Sequence, residues 1–393
     1  MSIWHLIIII YAIITGLIWI GIYISTLKII RKMDKLEKLT LPEPTQWPRL
    51  SIIIPACNEE DIILPAIQSL LANDYPDFEI ILINDRSTDS TPELIDQLHR
   101  QDQRVVPVHI DHLPKGWLGK TNALNKGVQM ASGKWLLFTD ASILFKQNAL
   151  KKTIALSEFE QLDHLVLMPD LLVNPSIATK FLLESLYSTN LLLTLQTIGL
   201  NIDKKNGKGF GLGCFNLVRK KALENSEGFE WLRMEILDDL GLGFLMKNSH
   251  AKTKIILGLE DVSHHWYSSF KELLRGIEKN SFTIFHYQLW RFITINSIFV
   301  LLLLGPLFML FLPYTIVYAW PALIYIGVSL IALKINYVFK RSWWAAFFAP
   351  LGFLLLMFSM WRATILFYLR GGAYWRTTFY SAKELRKNLR VKM

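Results

Sequence analysis

Residues Ile3 to Ile30 are almost wholly apolar, and three further apolar stretches close the chain: about Ile295 to Pro313, Tyr314 to Val338 and Trp343 to Leu369. A run of that length crosses a hydrocarbon core of about 30 Å at about 1.5 Å per residue. This partition constrains the chain more than any other feature, because it leaves one polar stretch, about Leu50 to Trp290, to fold outside the bilayer. A cleaved signal peptide is the rival reading of the first run. The run far exceeds a signal h-region and no A-x-A site follows it, so an uncleaved anchor is expected. Lys28, Arg31, Lys32, Lys35 and Lys38 come next, diluted by Asp34 and Glu37. By the positive-inside rule that end, and the polar region after it, is cytoplasmic. The expected layout is an anchor over 1–30, a basic, proline-containing linker over 31–49 (Pro42, Pro44, Pro48), a catalytic domain over 50–290, membrane helices over 291–369 and a basic tail over 370–393.

The tail carries Arg370, Arg376, Lys383, Arg386, Lys387, Arg390 and Lys392. Three complete crossings after the polar region would put this basic segment outside, against the charge rule. Two complete crossings and a cytoplasmic tail are therefore expected, with the stretch bearing Pro306 or Pro350 crossing only in part. The net charge of +9 belongs to the polar region and the membrane flanks. Anionic lipid accounts for it better than nucleic acid, since no basic stretch carries a nucleic-acid motif. Cys57 and Cys214 are the two cysteines, far apart and without CxxC spacing, which points away from a disulfide framework or zinc site.

The polar region alternates strand and helix. Strands are expected over Leu50 to Pro55, Glu79 to Ile83, Val105 to Ile110 and Lys134 to Thr139, and helices over Asp61 to Leu71, Thr91 to Arg100 and Lys120 to Met130. Thr91, Pro92 and Glu93 read as N-cap, proline at the first helical position and an acidic first turn. Strands apolar on both faces and separated by helices predict an α/β, Rossmann-like, doubly wound parallel sheet. Ligands in such sheets sit beyond the carboxyl ends of the strands. The polar clusters fall there: Pro55-Ala56-Cys57-Asn58-Glu59-Glu60, then Asn84-Asp85 through Thr91, then Thr139-Asp140-Ala141-Ser142. Helix capping explains any one of them, but not three converging on one crevice.

The order PACNEE, INDRSTDST, GWLGKTNALNKG, FTDAS and EILDDLGLG resembles family 2 glycosyltransferases of the GT-A fold, over roughly Leu50 to Asn280. GWLGK and the stretch Gly371 to Tyr380 resemble, more narrowly, the membrane-bound branch near carotenoid (diaponeurosporenoate-type) and hopanoid-associated glycosyltransferases. The resemblance implies an inverting hexosyltransferase that moves a sugar from a nucleotide-sugar donor, expected to be a UDP-sugar, to a lipophilic acceptor. A carotenoid, a hopanoid and a glycolipid precursor are the acceptors it points to. A multi-pass protein of the cytoplasmic membrane, in contact with membrane lipid, follows.

By position, Pro55, Ala56, Asn58, Glu59, Asp85, Lys120 and Asp140 would bind the nucleotide-sugar. A carboxylate such as Asp85 accepts the N–H and O–H donors of uracil and ribose. Asp140 takes the first place of the family's DxD metal motif, with Ser142 where a second Asp often stands, and Mg²⁺ or Mn²⁺ is the implied cofactor. Cys57 replaces the Arg common in the first motif. Lys120 opens a helix, where a cation opposes the macrodipole, so a bound diphosphate is the better reason for it. Asp238 and Asp239 resemble the acidic base motif, with Asp239 as base and Asp238 its neighbour, since mutual repulsion can raise a carboxyl pKa toward neutrality.

Gly207 to Asn216 is glycine-rich without a P-loop's GK[ST] and resembles the segment lining the sugar and acceptor side. His264-His265-Trp266 reads as acceptor-side structure and not a metal site. Arg275 to Asn280 does not match the QxxRW of processive members, which weighs against a polysaccharide synthase. That enzyme, a polyprenyl-phosphate sugar synthase and a non-catalytic membrane scaffold remain the competing readings.

Overall fold

The computed structural model describes residues 3–172, 177–201, 209–265, 267, 269–309, 319–375 and 378–392. In chain order the helices are α1 (Ile3–Lys32), α2 (Ile63–Leu71), α3 (Thr91–Gln101), α4 (Gly119–Met130), α5 (Ala149–Phe159), α6 (Ile177–Asn201), α7 (Lys220–Glu224), α8 (Gly228–Leu232) and α9 (Asp238–Asn248). After them come α10 (Phe270–Ser281), α11 (Leu289–Leu303), α12 (Gly305–Phe308), α13 (Ala319–Val338), α14 (Ala349–Arg370) and α15 (Ala382–Asn388). The strands are β1 (Leu50–Ala56), β2 (Phe78–Asp85), β3 (Val105–Ile110), β4 (Trp135–Phe138), β5 (Ile143–Phe145), β6 (His164–Leu172), β7 (Asn216–Arg219) and β8 (Thr253–His265), with a hairpin of β9 (Gly372–Trp375) and β10 (Thr378–Ser381).

The chain forms two compact units. One comprises Met33–Leu172, Asn201–Trp266 and Lys387–Met393, and the other Met1–Lys32, Val173–Leu200 and Tyr267–Arg386. The first holds an eight-stranded sheet in the order β3-β2-β1-β4-β7-β6-β8-β5. Alternation along a strand explains why it is covered twice. Ile52 and Ile54 of β1 share a core with Ile63, Ile67 and Leu70 of α2, Ile95 and Leu98 of α3, and Leu150 and Ile154 of α5. Ile53, between them, joins Ala123 and Leu124 of α4, Phe229 and Leu232 of α8, and Leu242, Leu245 and Met246 of α9. The expected α/β fold is therefore present, with one correction: the sheet is mixed. β3, β2, β1 and β4 run parallel, but β7 is antiparallel to both β4 and β6, and β5 is antiparallel to β8. The first four strands alternate with crossover helices, which dictates parallel pairing. β7 instead returns beside β4 after the long excursion through α6.

Because β2 and β3 lie to one side of β1 and β4 to the other, the strand order reverses between β1 and β4. A crevice opens at such a switch point beyond the carboxyl ends. The linker is pinned to the same unit: Leu36 is fully buried, Leu257 N donates to Asp34 O (2.9 Å), and Lys254 Nζ pairs with Asp34 (2.8 Å) and Glu160 (2.5 Å).

The second unit contains the apolar helices. Among the described residues three are long and apolar enough to cross a membrane: Ile3–Lys32, Ala319–Val338 and the continuous Trp343–Arg370, in which a 3₁₀ turn (Trp343–Phe348) leads into α14. α11 is apolar but shorter, at 15 residues. Residues 310–318, where two of the expected apolar stretches meet, lie outside the described residues. α6 joins this unit through polar contacts, with Ser188 Oγ donating to Asn336 Oδ1 (2.7 Å) and Gln196 Nε2 to Thr26 Oγ1 (2.9 Å). Glu278 of α10 takes ion pairs from Arg362 (2.6 Å) and Arg370 (2.5 Å) of α14.

His164, fully buried at the start of β6, faces Asn216 Oδ1 through Nε2 (3.1 Å) and Thr253 Oγ1 through Nδ1 (3.3 Å). The neutral Nε2–H tautomer satisfies both partners. Burial lowers its pKa to about 4. A histidine with a depressed folded pKa contributes stability above its unfolded value of ~6.5 that is lost as pH falls toward the folded one, at most about 3 kcal/mol here. Denaturant unfolding of the detergent-solubilised protein should show this loss between pH 6.5 and 4, and His164→Gln should flatten the slope. An unchanged slope in His164→Gln would place the effect elsewhere.

Candidate active site

The first two polar clusters are stitched together past the carboxyl ends of β1 and β2. Asn58, at φ 56°, donates its amide to Ser87 Oγ (3.0 Å), and its Oδ1 accepts from Thr88 N (2.8 Å). Glu60 Oε2 accepts from Ser90 N (3.0 Å) while Asp89 Oδ2 accepts from Glu60 N (3.2 Å). The expected N-cap shifts by one residue. Ser90 precedes α3, and the buried Thr91 hydroxyl accepts the Glu59 amide instead (2.8 Å). Holding the two loops together outweighs capping there, because Glu59 N is otherwise a half-buried donor in need of a partner. Pro55 and Ala56 lie buried within β1, leaving their backbone and the loop beyond to meet a ligand.

Asp85 ends β2 with 5% exposure and accepts from Arg86 Nε (2.8 Å) and Nη2 (3.2 Å). This pair lies against Gly119, the first residue of α4, where a Cβ would overlap Asp85 Oδ2 and stand 2.7 Å from Arg86 Nη2. Only glycine lets α4 begin that close to the pair.

The next residue, Lys120, is the centre of the site. Its Nζ lies 2.9 Å from Asp140 Oδ1 and 3.1 Å from Asp238 Oδ2. Burial alone would lower the Lys120 pKa, but Asp140, Asp238 and Asp239 more than reverse this and hold it above the ordinary lysine value. Lys120 therefore stays charged at neutral pH. Asp140 follows β4 and α9 opens on Asp238 and Asp239, so three elements distant in sequence meet at one cation. A second contact fixes α4 against the segment before α9: Leu118 N and Thr121 Oγ1 both donate to Arg233 O, each at 2.8 Å.

The glycine-rich segment builds the remaining wall; its first residues, Gly207 and Lys208, lie outside the described residues. Gly213 N donates to Asp239 Oδ2 (2.8 Å), and Asp239 Oδ1 accepts from Leu240 N (2.8 Å), which fixes that carboxylate's orientation. A Cβ on Gly213 would lie 2.8 Å from Asp140 Oδ2 and 3.5 Å from Asp239 Oδ2, so both carboxylates face the same glycine. A Cβ on Gly243 would lie 2.6 Å from Gly211 N, so the loop runs backbone to backbone along α9. Close approach is what these glycines provide. Thr139, Asn216 and the rings of Phe138 and Phe229 complete the small cavity around Lys120, Asp140, Asp238 and Asp239. A larger cavity of about 790 Å³, on the other unit, is lined by Lys334, Lys340 and Arg341 and has no carboxylate.

Sequence reasoning placed Gly213 and Asn216 within the segment lining the sugar and acceptor side but gave neither a role of its own. Gly213 shows itself only when its loop lies on α9. Cys57 is buried, and Cys214 has a thiol pKa raised by burial and by Asp140 and Asp239. His264 and His265 end β8, while Trp266 lies outside the described residues. Among the described residues no group of three or more His, Cys, Asp or Glu is placed to hold a metal ion. Asp140, whose Oδ2 faces Gly213 while its Oδ1 pairs with Lys120, still offers a carboxylate oxygen at this place. One such oxygen fits a Mg²⁺ or Mn²⁺ ion that keeps waters and takes its other ligands from a phosphate-bearing ligand.

Residues 51–226 match the family model Glycosyl transferase family 2. The matched stretch is similar to that family and lies largely in the α/β sheet-bearing unit described above. A poly-beta-1,6-N-acetyl-D-glucosamine synthase of Staphylococcus epidermidis is 31% identical over 142 residues, 35% of this chain and 32% of that protein. The UDP-Glc:alpha-D-GlcNAc-diphosphoundecaprenol beta-1,3-glucosyltransferase WfgD of Escherichia coli is 25% identical over 47% of this chain and 66% of its own. Two further curated relatives are spanned over 42% and 33% of their lengths. The mannosyltransferase PcManGT of Pyrobaculum calidifontis, solved with GDP-Man and Mn²⁺, covers 89% of this chain and 98% of its own at 13% identity and a TM-score of 0.49.

Gly119→Ala tests the close approach at Asp85. The added methyl must displace the Asp85–Arg86 pair, so affinity for UDP measured by calorimetry should fall about tenfold or more, the cost of one charge-assisted contact. The thermal midpoint should stay within a few degrees of the parent's. Unchanged UDP affinity would remove Asp85 from the nucleotide site.

Proposed function

We propose that this chain is an inverting glycosyltransferase. It moves a sugar from a UDP-linked donor to the hydroxyl of a lipophilic acceptor at the cytoplasmic face of a membrane. The observation that carries the reading is Lys120 gathered with Asp140, Asp238 and Asp239 beyond the switch point of the sheet. Four charged groups on three elements are costly to bring together unless a ligand uses them. Lys120 offers charge to a diphosphate leaving group. A divalent ion held by Asp140 would supply Lewis-acid charge to the same phosphates. Asp239, half-buried and held by Gly213 N and Leu240 N, is the base. It takes the proton of the acceptor hydroxyl as that oxygen bonds to the anomeric carbon. The bond from this carbon to the phosphate oxygen breaks, and its electron pair leaves with the diphosphate. Asp238 keeps Lys120 in place. Asn58, Glu59, Asp85 and the backbone at Pro55 and Ala56 form the nucleotide side.

The acceptor class rests on the apolar helices flanking the domain. WfgD, by its name, acts on a diphosphoundecaprenol-linked sugar, which is consistent with a lipid-borne acceptor. A carotenoid- or hopanoid-type acceptor accords with the GWLGK segment and with the tail that carries the narrower resemblance; Arg376 and Thr377 of that tail lie outside the described residues. A polysaccharide synthase stays the principal alternative, and the length of the product decides between them. Unit membership supports the topology: the linker after α1 and residues Lys387–Met393 both belong to the sheet-bearing unit, as an even number of crossings between them requires. α13 and Trp343–Arg370 supply two crossings and the shorter, Pro306-adjacent α11 a partial one.

Asp239→Asn should lower turnover by about 10²-fold or more while UDP binding survives. A near-fully active Asp239→Asn with an inactive Asp238→Asn would reverse the two roles.

Asp140→Ala should abolish activation by Mg²⁺ or Mn²⁺. Full activity of the parent protein in excess chelator would end the metal requirement and leave Lys120 as the main counter-charge.

A cysteine placed at Lys392 should react with a membrane-impermeant thiol reagent in inverted vesicles and not in intact cells. Labelling of intact cells would mean an odd number of crossings.

A further inference from the structure

Glu235 is 1% exposed in a run of apolar residues, three positions before Asp238. Its Oε2 accepts two backbone amides from the tail, Arg390 N (2.8 Å) and Val391 N (2.9 Å). Its Oε1 faces Leu237 N (3.3 Å), the residue immediately before α9. Burial raises the Glu235 pKa, and the amides of Val391, Arg390 and Leu237 work against that rise. The tail is also packed. Val391, 1% exposed, forms a cluster with Leu237 and Phe244, against which Trp231 and Leu240 pack. A Cβ on Gly241 would lie 3.3 Å from Val391 Cγ2, so the first turn of α9 and the tail are in direct contact. The Arg390 guanidinium lies over the Trp231 ring, 6.0 Å from its centroid.

We propose that Glu235 is a positioning residue that clasps the backbone at Arg390 and Val391 and thereby fixes the N-terminus of α9, and with it Asp238 and Asp239. A carboxylate is the side chain suited to this place, because it alone offers acceptors in both directions and no donor to clash with three N–H groups. A buried carboxylate in an apolar run would otherwise cost stability and return nothing. The clasp reaches the chemistry through one residue, Leu237, whose amide it holds and whose carbonyl accepts Gly241 N (2.7 Å) in the first turn of α9. Loosening it lets the Asp238–Asp239 pair drift from Lys120 and Gly213, and a shift near 1 Å is enough to cost about 10²-fold in rate. The tail so becomes part of the site's support, although it lies some 150 positions away in sequence, as Glu235 and Arg390 are 155 apart.

This proposal rests on the glycosyl-transfer reading for its kinetic arm only. Hydrogen exchange on the full-length protein in detergent tests the clasp itself: the Arg390 and Val391 amides should be protected in the parent and lose protection in Glu235→Ala. Kinetics then test positioning. Glu235→Ala and deletion of Leu389–Met393 should each lower kcat about 10- to 100-fold, with UDP binding stoichiometry near one and donor KM within about twofold. Glu235→Gln, which keeps one acceptor oxygen, should fall between parent and Ala. Tail amides equally protected in Glu235→Ala would overturn the clasp. A deletion that exposes the tail's former seat yet leaves kcat unchanged would overturn positioning. If Glu235→Ala does not fold, the deletion and Glu235→Gln carry the same test. A parent protein without transferase activity would overturn the functional reading and leave the exchange result to decide the clasp.

Discussion

A strand apolar on both faces has to be covered on both faces, and β1 places that demand at the middle of the sheet. Ile52 and Ile54 call for α2, α3 and α5, while Ile53 calls for α4, α8 and α9. The second group matters most for chemistry. α4 carries Lys120 and α9 carries Asp238 and Asp239, so covering one face of β1 and its neighbours brings a cation and two carboxylates together at one end. β4, paired to β1, adds Asp140 at the same end.

The charge cluster depends on this apolar frame and in turn limits it. Three carboxylates around one lysine would repel one another without Lys120, and without them burial would push the Lys120 pKa down. The backbone donors Gly213 N and Leu240 N fix the Asp239 carboxylate. Glycine makes such proximity possible at Gly119 and Gly213, where a methyl group would meet a carboxylate oxygen. The second unit meets a different demand, since exposed side chains such as Ile13, Leu17 and Ile20 of α1 suit contact with lipid, while Ser188 pairs with Asn336 and Gln196 with Thr26.

Hydropathy and periodicity in the sequence by themselves determined the first apolar helix, the first four strands, the helices between them and the parallel half of the sheet. These features arise from local alternation and from capping chemistry, which neighbouring residues carry. The motifs also placed Asp85, Lys120, Asp140 and the Asp238–Asp239 pair near strand ends or helix starts. Only the tertiary structure decided that β7 returns antiparallel beside β4, that the Thr91 hydroxyl serves Glu59 and not its own helix, and that Lys120 lies between Asp140 and Asp238. It alone decided that Glu235 meets Arg390 and Val391. The physical reason is common to all four. Each joins groups far apart in the chain, and the free energy that selects such a contact comes from burial and hydrogen-bond satisfaction across the whole fold, which no local window of sequence contains.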